Sequence, residues 1–218
     1  HMIVDLAASG ADGTAARLAA TPHIRTIPSR LLQQFALPGF LSAEQCDVLI
    51  AMIDAAVRPS TIADPNGDDA FRTSMTCDLD HANPHVAALD AALCALTGIA
   101  PRFGEALQGQ RYDVGQEFKH HTDTFDPTGL DYAEHCTIPG QRTWTVMIYL
   151  NTVPAGGGTR FKSLDKIHQP ECGKLLAWNN IGADAQVNPH SGHHGMKVRK
   201  GRKYVITKWY REREWLWD

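Results

Sequence analysis

The spacing of apolar residues along this chain changes near residue 100. Before that point the repeat is helical. In SAEQCDVLIAMIDAAV, Val48, Leu49, Met52, Ile53 and Ala56 fall at the intervals that bring side chains onto one helix face. Ser42 can accept a bond from the open first turn and Gln45 can return one, so this capping box starts the helix. A second helix is predicted from Asn83 as cap, with Pro84 in the first turn where its missing N–H is not needed. It buries Val86, Leu89, Leu93 and Leu96 and stops at Gly98. Between the two, PSTIADPNGDDA is rich in turn formers, and FRTSMTCDL, residues 71–79, reads as a strand.

Beyond residue 100 the period shortens to two. QRTWTVMIYLNTV, residues 141–153, sets Trp144, Val146, Ile148 and Leu150 on one face and Thr143, Thr145, Met147 and Tyr149 on the other. The first face is core. The second is part polar without being solvent-like, which suits a sheet covered by helices on one side and lining a cavity on the other. KLLAWNNI and KYVITKWYRE add two more strands, and GGGT at 156–159 supplies a turn. Helices followed by a run of strands predict an α+β, mainly β fold: an antiparallel sandwich or barrel with N-terminal helices packed on one sheet. No internal repeat or low-complexity segment interrupts it.

Composition narrows the function classes. At 218 residues the chain can enclose one sizeable core, and a net charge of −3 gives no global reason for nucleic acid or an acidic membrane as partner, so neither is expected. Five cysteines are odd in number, widely spaced and never in a CxxC pair, which argues against a disulfide framework or a zinc site. They read as reduced thiols and predict a cytoplasmic location. The leading His-Met resembles a cloning scar, and IVDLAASGADGTAARLAA after it carries Asp5 and Asp12 and lacks the basic start of a signal peptide. No apolar run approaches the length that spans a bilayer.

Chemistry concentrates in HHTDTF, residues 120–125. On a strand His121 and Asp123 aim at one point, while His120 and Thr122 aim away. One imidazole and one carboxylate are two thirds of the two-histidine, one-carboxylate set that holds non-haem iron(II) with positions left open. A third ligand is required. PHSGHHGMKVRKGRK offers His190, His193 and His194, and chemistry alone does not select among them. Further on, Lys203, Val205, Thr207 and Trp209 share a strand face, so a buried Lys203 ammonium would need an anion in the cavity.

YDVGQEFKHHTD, residues 112–123, resembles the prolyl 4-hydroxylase pattern YxxGxxYxxHxD, and HHGMKVRKGRKYVITKW, residues 193–209, is similar to that family's HxGxPVxxGxKxxxxKW. QRTWTVMIYLN and GGGTRF resemble its RxxTxxxYLN and GGxTxF, while FRTS and LPGFLSAEQCDVLI resemble its upstream strand and first helix. The resemblance implies a double-stranded β-helix (jelly roll, cupin-like) in one dioxygenase domain over residues 35–218. Helical support would occupy roughly 35–100 and the jelly-roll core roughly 101–218, after an extension over residues 1–34. It also implies an enzyme using Fe(II), 2-oxoglutarate and O2, with ascorbate as a candidate reductant.

In that reading His121, Asp123 and His193 hold the iron, Lys203 holds 2-oxoglutarate, and Tyr112, Tyr149 and Thr145 contact it. Related halogenases replace the carboxylate ligand with a small residue, so the intact Asp123 favours hydroxylation. Arg72, Ser74, Arg142, Trp209 and Phe118 fall where prolyl 4-hydroxylases meet a peptide, making a proline-containing peptide or protein the leading substrate. A free amino acid or small metabolite, its carboxylate clamped by Arg142, is the alternative. A non-catalytic iron or 2-oxoglutarate sensor is the third reading. Departures from the family pattern are Phe118 for tyrosine, Lys197 for proline, Thr152 for an acid and Arg211 where peptide-binding members carry histidine. His120, His190 and His194 are assigned as non-ligands and His135 and His168 as surface groups. The long segment 124–140 is expected to close over substrate.

Overall fold

The computed structural model describes residues 2–61 and 70–215. Four α-helices occur among them: α1 (Thr14–Ala19), α2 (Ala43–Ala56), α3 (Pro84–Thr97) and α4 (Leu130–Cys136). The capping box at Ser42 and Gln45 is formed in both directions, and Asn83 accepts from the His85 N–H to start α3, which Gly98 ends with a left-handed φ of 75°. Helix α2 is rolled slightly from the predicted stripe. Cys46, Leu49 and Ile53 are buried, Val48 and Met52 half-buried and Ala56 exposed. Contact with the sheet sets this roll: Ile53 rests on Gly109, where an added Cβ would come within 2.5 Å of it.

The large sheet has eight strands. Its order is β1 (Arg25–Thr26), β2 (Gln34–Leu37), β11 (Leu175–Asn179), β7 (Arg142–Tyr149), β14 (Lys203–Arg211), β5 (Gln108–Tyr112), β4 (Met75–Asp78) and β3 (Arg58–Pro59). A smaller sheet runs β10 (Lys166–His168), β9 (Thr159–Phe161), β12 (His193–Gly195) and β6 (Phe118–His121), and a ribbon pairs β8 (Ala155–Gly156) with β13 (Val198–Lys200). Every pairing within these sheets is antiparallel. The expected α+β double-stranded β-helix is the observed fold.

Alternation along β7 divides the interior as the pattern predicts. Trp144, Val146 and Ile148 join Leu49, Ile53, Leu93 and Ile206 in a core between helices and sheet. On the other side Tyr149 and Met147 meet Tyr112, Phe161, Trp178 and Val205 between the sheets. Full burial of such a side chain stabilises by roughly 1.5–3 kcal/mol, so the helices clamp the outer face of the large sheet and leave its inner face for a site.

The N-terminal region does more than extend the domain. Ala11 and Leu18 are buried in the helix-side core, the Trp144 Nε1–H donates to the Ala11 carbonyl at 3.2 Å, and β1 extends the large sheet. The stretch 35–100 contributes β2, β3 and β4 as well as its two long helices, and the strand expected over 71–79 is confined to β4. All five cysteines are free thiols, and among the described residues no helix is long and apolar enough to cross a membrane.

Candidate active site

Strands β6 and β12 put His121 and His193 directly opposite one another, although they are far apart in sequence. Strand β6 ends at His121, and Asp123 lies in the bend just beyond it. Gln141 pins that bend: its side-chain amide accepts from the Phe125 N–H at 2.9 Å and donates to the Phe125 carbonyl at 2.8 Å. The ligand atoms of His121, Asp123 and His193 all lie within 4.8 Å of one another. His121 Nδ1 bonds to the Lys119 carbonyl at 2.7 Å and His193 Nδ1 to the Ser191 carbonyl at 3.0 Å. Each Nδ1 is therefore the protonated nitrogen, and the two Nε2 lone pairs face Asp123 Oδ1 at 3.5 and 3.6 Å.

Electrostatics match a cation site. Burial pushes the His193 imidazole down to about 4, so at neutral pH it is an uncharged donor. Burial would raise the Asp123 carboxyl, but His193, His121 and the Thr145 hydroxyl outweigh it and hold Asp123 below the usual carboxylate range. Two imidazole nitrogens and one ionised carboxylate converging on one point suit iron(II).

A cavity leads from this cluster along the inner face of the large sheet, lined by Tyr112, Thr145, Thr159, Lys203, Thr207 and Trp209 among others. At its far end Lys203 is 2% exposed. Its Nζ donates to the Gly157 carbonyl at 3.0 Å and lies 4.1 Å from the Tyr112 ring centre, and among the described residues no carboxylate pairs with it. Burial pushes this ammonium down to about 7. Gly156 and Gly157 both adopt left-handed φ, 74° and 72°, which turns the Gly157 carbonyl toward the lysine.

Residues 107–211 match the model of the 2OG-Fe(II) oxygenase superfamily. Probable prolyl 4-hydroxylase 8 of Arabidopsis thaliana is 30% identical over 83% of this chain and 69% of its own length. This chain belongs to the prolyl 4-hydroxylase-like 2OG-Fe(II) oxygenases. A putative prolyl 4-hydroxylase of Acanthamoeba polyphaga mimivirus is 26% identical over 83% of this chain and 74% of its own. The fold is also that of a viral collagen prolyl hydroxylase from Paramecium Bursaria Chlorella virus-1, with a TM-score of 0.63 at 24% identity over 82% of this chain and 95% of that one. A Pseudomonas putida prolyl-4-hydroxylase gives 0.57 at 18% identity, covering 92% and 98%.

As a member of this family the protein uses Fe(II) and 2-oxoglutarate, and the donor set and the unpaired ammonium fit both. The other expected contacts divide. Tyr112 lines the cavity with its hydroxyl bonded to Ser74. The Tyr149 hydroxyl is engaged elsewhere, with the Thr159 hydroxyl at 2.5 Å and the His168 carbonyl at 3.3 Å, so Tyr149 backs the wall and Thr159 faces the cavity. Thr145 gives its proton to Asp123 Oδ2 at 2.6 Å.

The cavity opens beside Asp123 onto a broad groove walled by Arg72, Phe118, Phe125, Arg142, Trp209 and α4. Phe118 stacks on His121 with ring centres 3.5 Å apart, and Arg72 lies over Phe118 at 4.4 Å. Ser74 is buried behind this wall, bonded to Ser60 at 2.9 Å and Arg72 at 3.3 Å, and does not reach the groove. Arg142 forms a two-pronged pair with Glu105 at 2.6 and 2.9 Å while resting on Trp209 at 3.9 Å. Arg211 shares Glu105 at 3.2 Å and also binds the carbonyls of His135 and Gly140. Burial would raise Glu105, but Arg142 and Arg211 hold it below the ordinary range.

Glu105 carries no sequence signal, being a lone acid in a loop. Thr159 had one, the threonine of GGGTRF. His168 is not a surface group: it is 5% exposed, with Nε2 3.2 Å from Gln34 Oε1, and burial pushes it down to about 4. His135 is half-buried in the groove wall, stacked on Phe125 at 4.9 Å. His194 pairs with Glu117 at 2.9 Å, outside the ligand cluster. The segment 124–140 holds α4 and is tied at its base by Arg211 and Arg213.

Proposed function

We propose that this protein hydroxylates an unactivated C–H of a prolyl residue in a peptide or protein. The observation that carries the reading is one continuous space: a two-histidine, one-carboxylate cluster in the middle, an unpaired buried ammonium at the closed end, and an aromatic groove at the open end. His121, Asp123 and His193 would hold the iron. Lys203, with Tyr112 and Thr159 beside it, would hold the distal carboxylate of 2-oxoglutarate and so aim its oxo acid end at the cluster. Iron, 2-oxoglutarate and O2 together supply the oxidation, in which the cosubstrate leaves as succinate and CO2 and the second oxygen atom of O2 becomes the substrate hydroxyl.

The chain's own part is to orient and to exclude water. Phe125 and Trp209 offer apolar ring surface of the kind on which a preformed polyproline segment docks at low entropic cost, beside the Arg72–Phe118–His121 stack. A free amino acid fits less well, because the Arg142 fork that would clamp its carboxylate is already filled by Glu105. The segment 124–140 is the piece we expect to close over substrate, by movement of α4 about its pinned base. The free cysteines accord with a cytoplasmic setting, and ascorbate is the reductant we would supply.

Succinate release tests the reading. Protein reconstituted anaerobically with Fe(II) is given 2-oxoglutarate and O2, with and without proline-rich peptides, alongside Asp123→Ala and Lys203→Ala. Peptide-stimulated succinate that both substitutions abolish is the expected result. Iron binding with no decarboxylation on any substrate class would overturn it in favour of a sensor, and stimulation by free amino acids alone would move the substrate class.

A further inference from the structure

Asp123 shows its two carboxylate oxygens to different surroundings. Oδ1 faces both histidine Nε2 atoms, at 3.5 and 3.6 Å, whereas Oδ2 accepts from the Thr145 hydroxyl at 2.6 Å. Behind Thr145 stands Asn180, whose Nδ2 donates to Thr145 Oγ1 at 2.9 Å. Asn180 is fully buried and fixed on both sides by its backbone, its N–H donating to the Thr143 carbonyl at 2.7 Å and its carbonyl accepting from the Asn188 N–H at 2.9 Å.

The direction of this chain follows from its chemistry. An ionised carboxylate only accepts and an amide nitrogen only donates, while a hydroxyl has one proton and two lone pairs. Thr145 must therefore give its proton to Asp123 and take one from Asn180. With that proton committed and one lone pair taken by Asn180, it has a single lone pair left and cannot donate to a 2-oxoglutarate carboxylate.

We propose that Asn180 and Thr145 form a relay that holds Asp123 as a one-oxygen iron ligand. Thr145 is then a positioning residue, in place of the cosubstrate contact that the family resemblance implies. The proposal rests on the iron site described above and adds to it. If Oδ2 were free, the carboxylate could rotate and carry Oδ1 out of line with the two Nε2 atoms, loosening the three-ligand set. A bond between the outer oxygen and a fixed hydroxyl opposes that rotation, and orienting partners of this kind are worth about 10–100-fold in metal affinity. Because β7 carries Thr145 and Asn180 follows directly on β11, the relay ties the ligand to two interior strands of the large sheet.

The test is calorimetric titration of the metal-free protein with Mn(II), followed by 2-oxoglutarate titration of the Mn(II)-loaded protein, for wild type, Thr145→Val, Thr145→Ser and Asn180→Ala. Thr145→Val should weaken Mn(II) binding by about 10–100-fold and Asn180→Ala by less, in the same direction. Thr145→Ser, which keeps the hydroxyl, should restore Mn(II) affinity to within about threefold, and 2-oxoglutarate affinity should change by less than about threefold throughout. If Thr145→Val fails to fold, Asn180→Ala and Thr145→Ser carry the same expectations. Thr145→Val or Asn180→Ala binding Mn(II) as tightly as wild type while 2-oxoglutarate binding weakens would overturn the relay and make Thr145 a cosubstrate contact. Wild type that takes up no Mn(II), or Asp123→Ala that takes it up equally well, would instead overturn the iron site on which the relay depends.

Discussion

The closed cavity and the open groove meet at Asp123, yet they are built from different parts of the fold. The cavity stands on β5, β7 and β14, interior strands whose neighbours on both sides fix the direction of every side chain. The groove sets pieces that hang from the sheet, namely residues 71 and 72, the bend after β6, α4 and Trp215, beside the strand residues Arg142, Trp209 and Arg211. Strand register positions the first. In the second, a buried charge group does so, with Glu105 holding Arg142 and Arg211 in place and Arg142 in turn supporting the rings of Trp209 and Phe125. The chemistry therefore sits on a lattice of backbone bonds, while the groove wall leans on one carboxylate, which through Arg142 also reaches the Asp123 carbonyl at 3.4 Å.

Substitutions can break this contrast. The largest effect is expected from Asp123→Ala, which removes the carboxylate of the His121, Asp123 and His193 cluster: succinate formation should fall at least about a thousandfold, while thermal stability of the metal-free protein changes little. Glu105→Ala should do the opposite. It leaves two buried guanidinium groups without their shared partner and should cost about 3–5 kcal/mol by denaturant titration, with peptide KM raised and 2-oxoglutarate KM nearly unchanged.

Lys203→Ala sharpens the cavity side, with 2-oxoglutarate KM raised by roughly a hundredfold and peptide KM unmoved. The same lysine predicts a pH effect. Its ammonium is pushed down to about 7 in the empty cavity and must be charged to meet a carboxylate. Binding above that pH thus takes up a proton, and 2-oxoglutarate affinity should fall by up to about tenfold per pH unit above 7. Lys203→Arg, which stays charged, should flatten the profile. Stability of the ligand-free protein runs the other way: the unfolded lysine keeps its proton to higher pH, so stability should rise from about pH 7 toward the ordinary lysine value. The smallest effect is Phe125→Ala, which strips one ring from the groove and should raise peptide KM by about tenfold with kcat for decarboxylation retained.

Legibility in sequence followed the same division. The alternation along β7 and β14 and the helix caps act over a few residues and appear where the pattern put them, while His121 and Asp123 converge although Asp123 stands in the bend after β6 and not on the strand. Glu105 was invisible because its partners at 142 and 211 become neighbours only after folding. The roles taken from resemblance for Tyr149, Ser74 and Arg142 met a different obstacle, since a buried hydroxyl or guanidinium goes to the nearest acceptor. His168 could be placed inside only by knowing that Gln34 lies across from it, and the burial of Leu18 only by knowing where α3 would pass.

Strand β6 is the outermost strand of the small sheet, and its free side is taken up by the chain just before β4: Arg72 bridges to Phe118, the Lys119 N–H donates to the Phe71 carbonyl at 2.9 Å, and the Thr73 N–H to the Glu117 carbonyl at 3.0 Å. This run is a seam, stitching the sheet that carries two iron ligands to the sheet that carries the lysine. Arg72 sits on the stitch with its side chain over Phe118, and Phe118 in turn stacks on His121. Guanidinium, phenyl ring and imidazole thus form one packed column, and the seam that joins the two sheets also joins the groove wall to the candidate metal cluster.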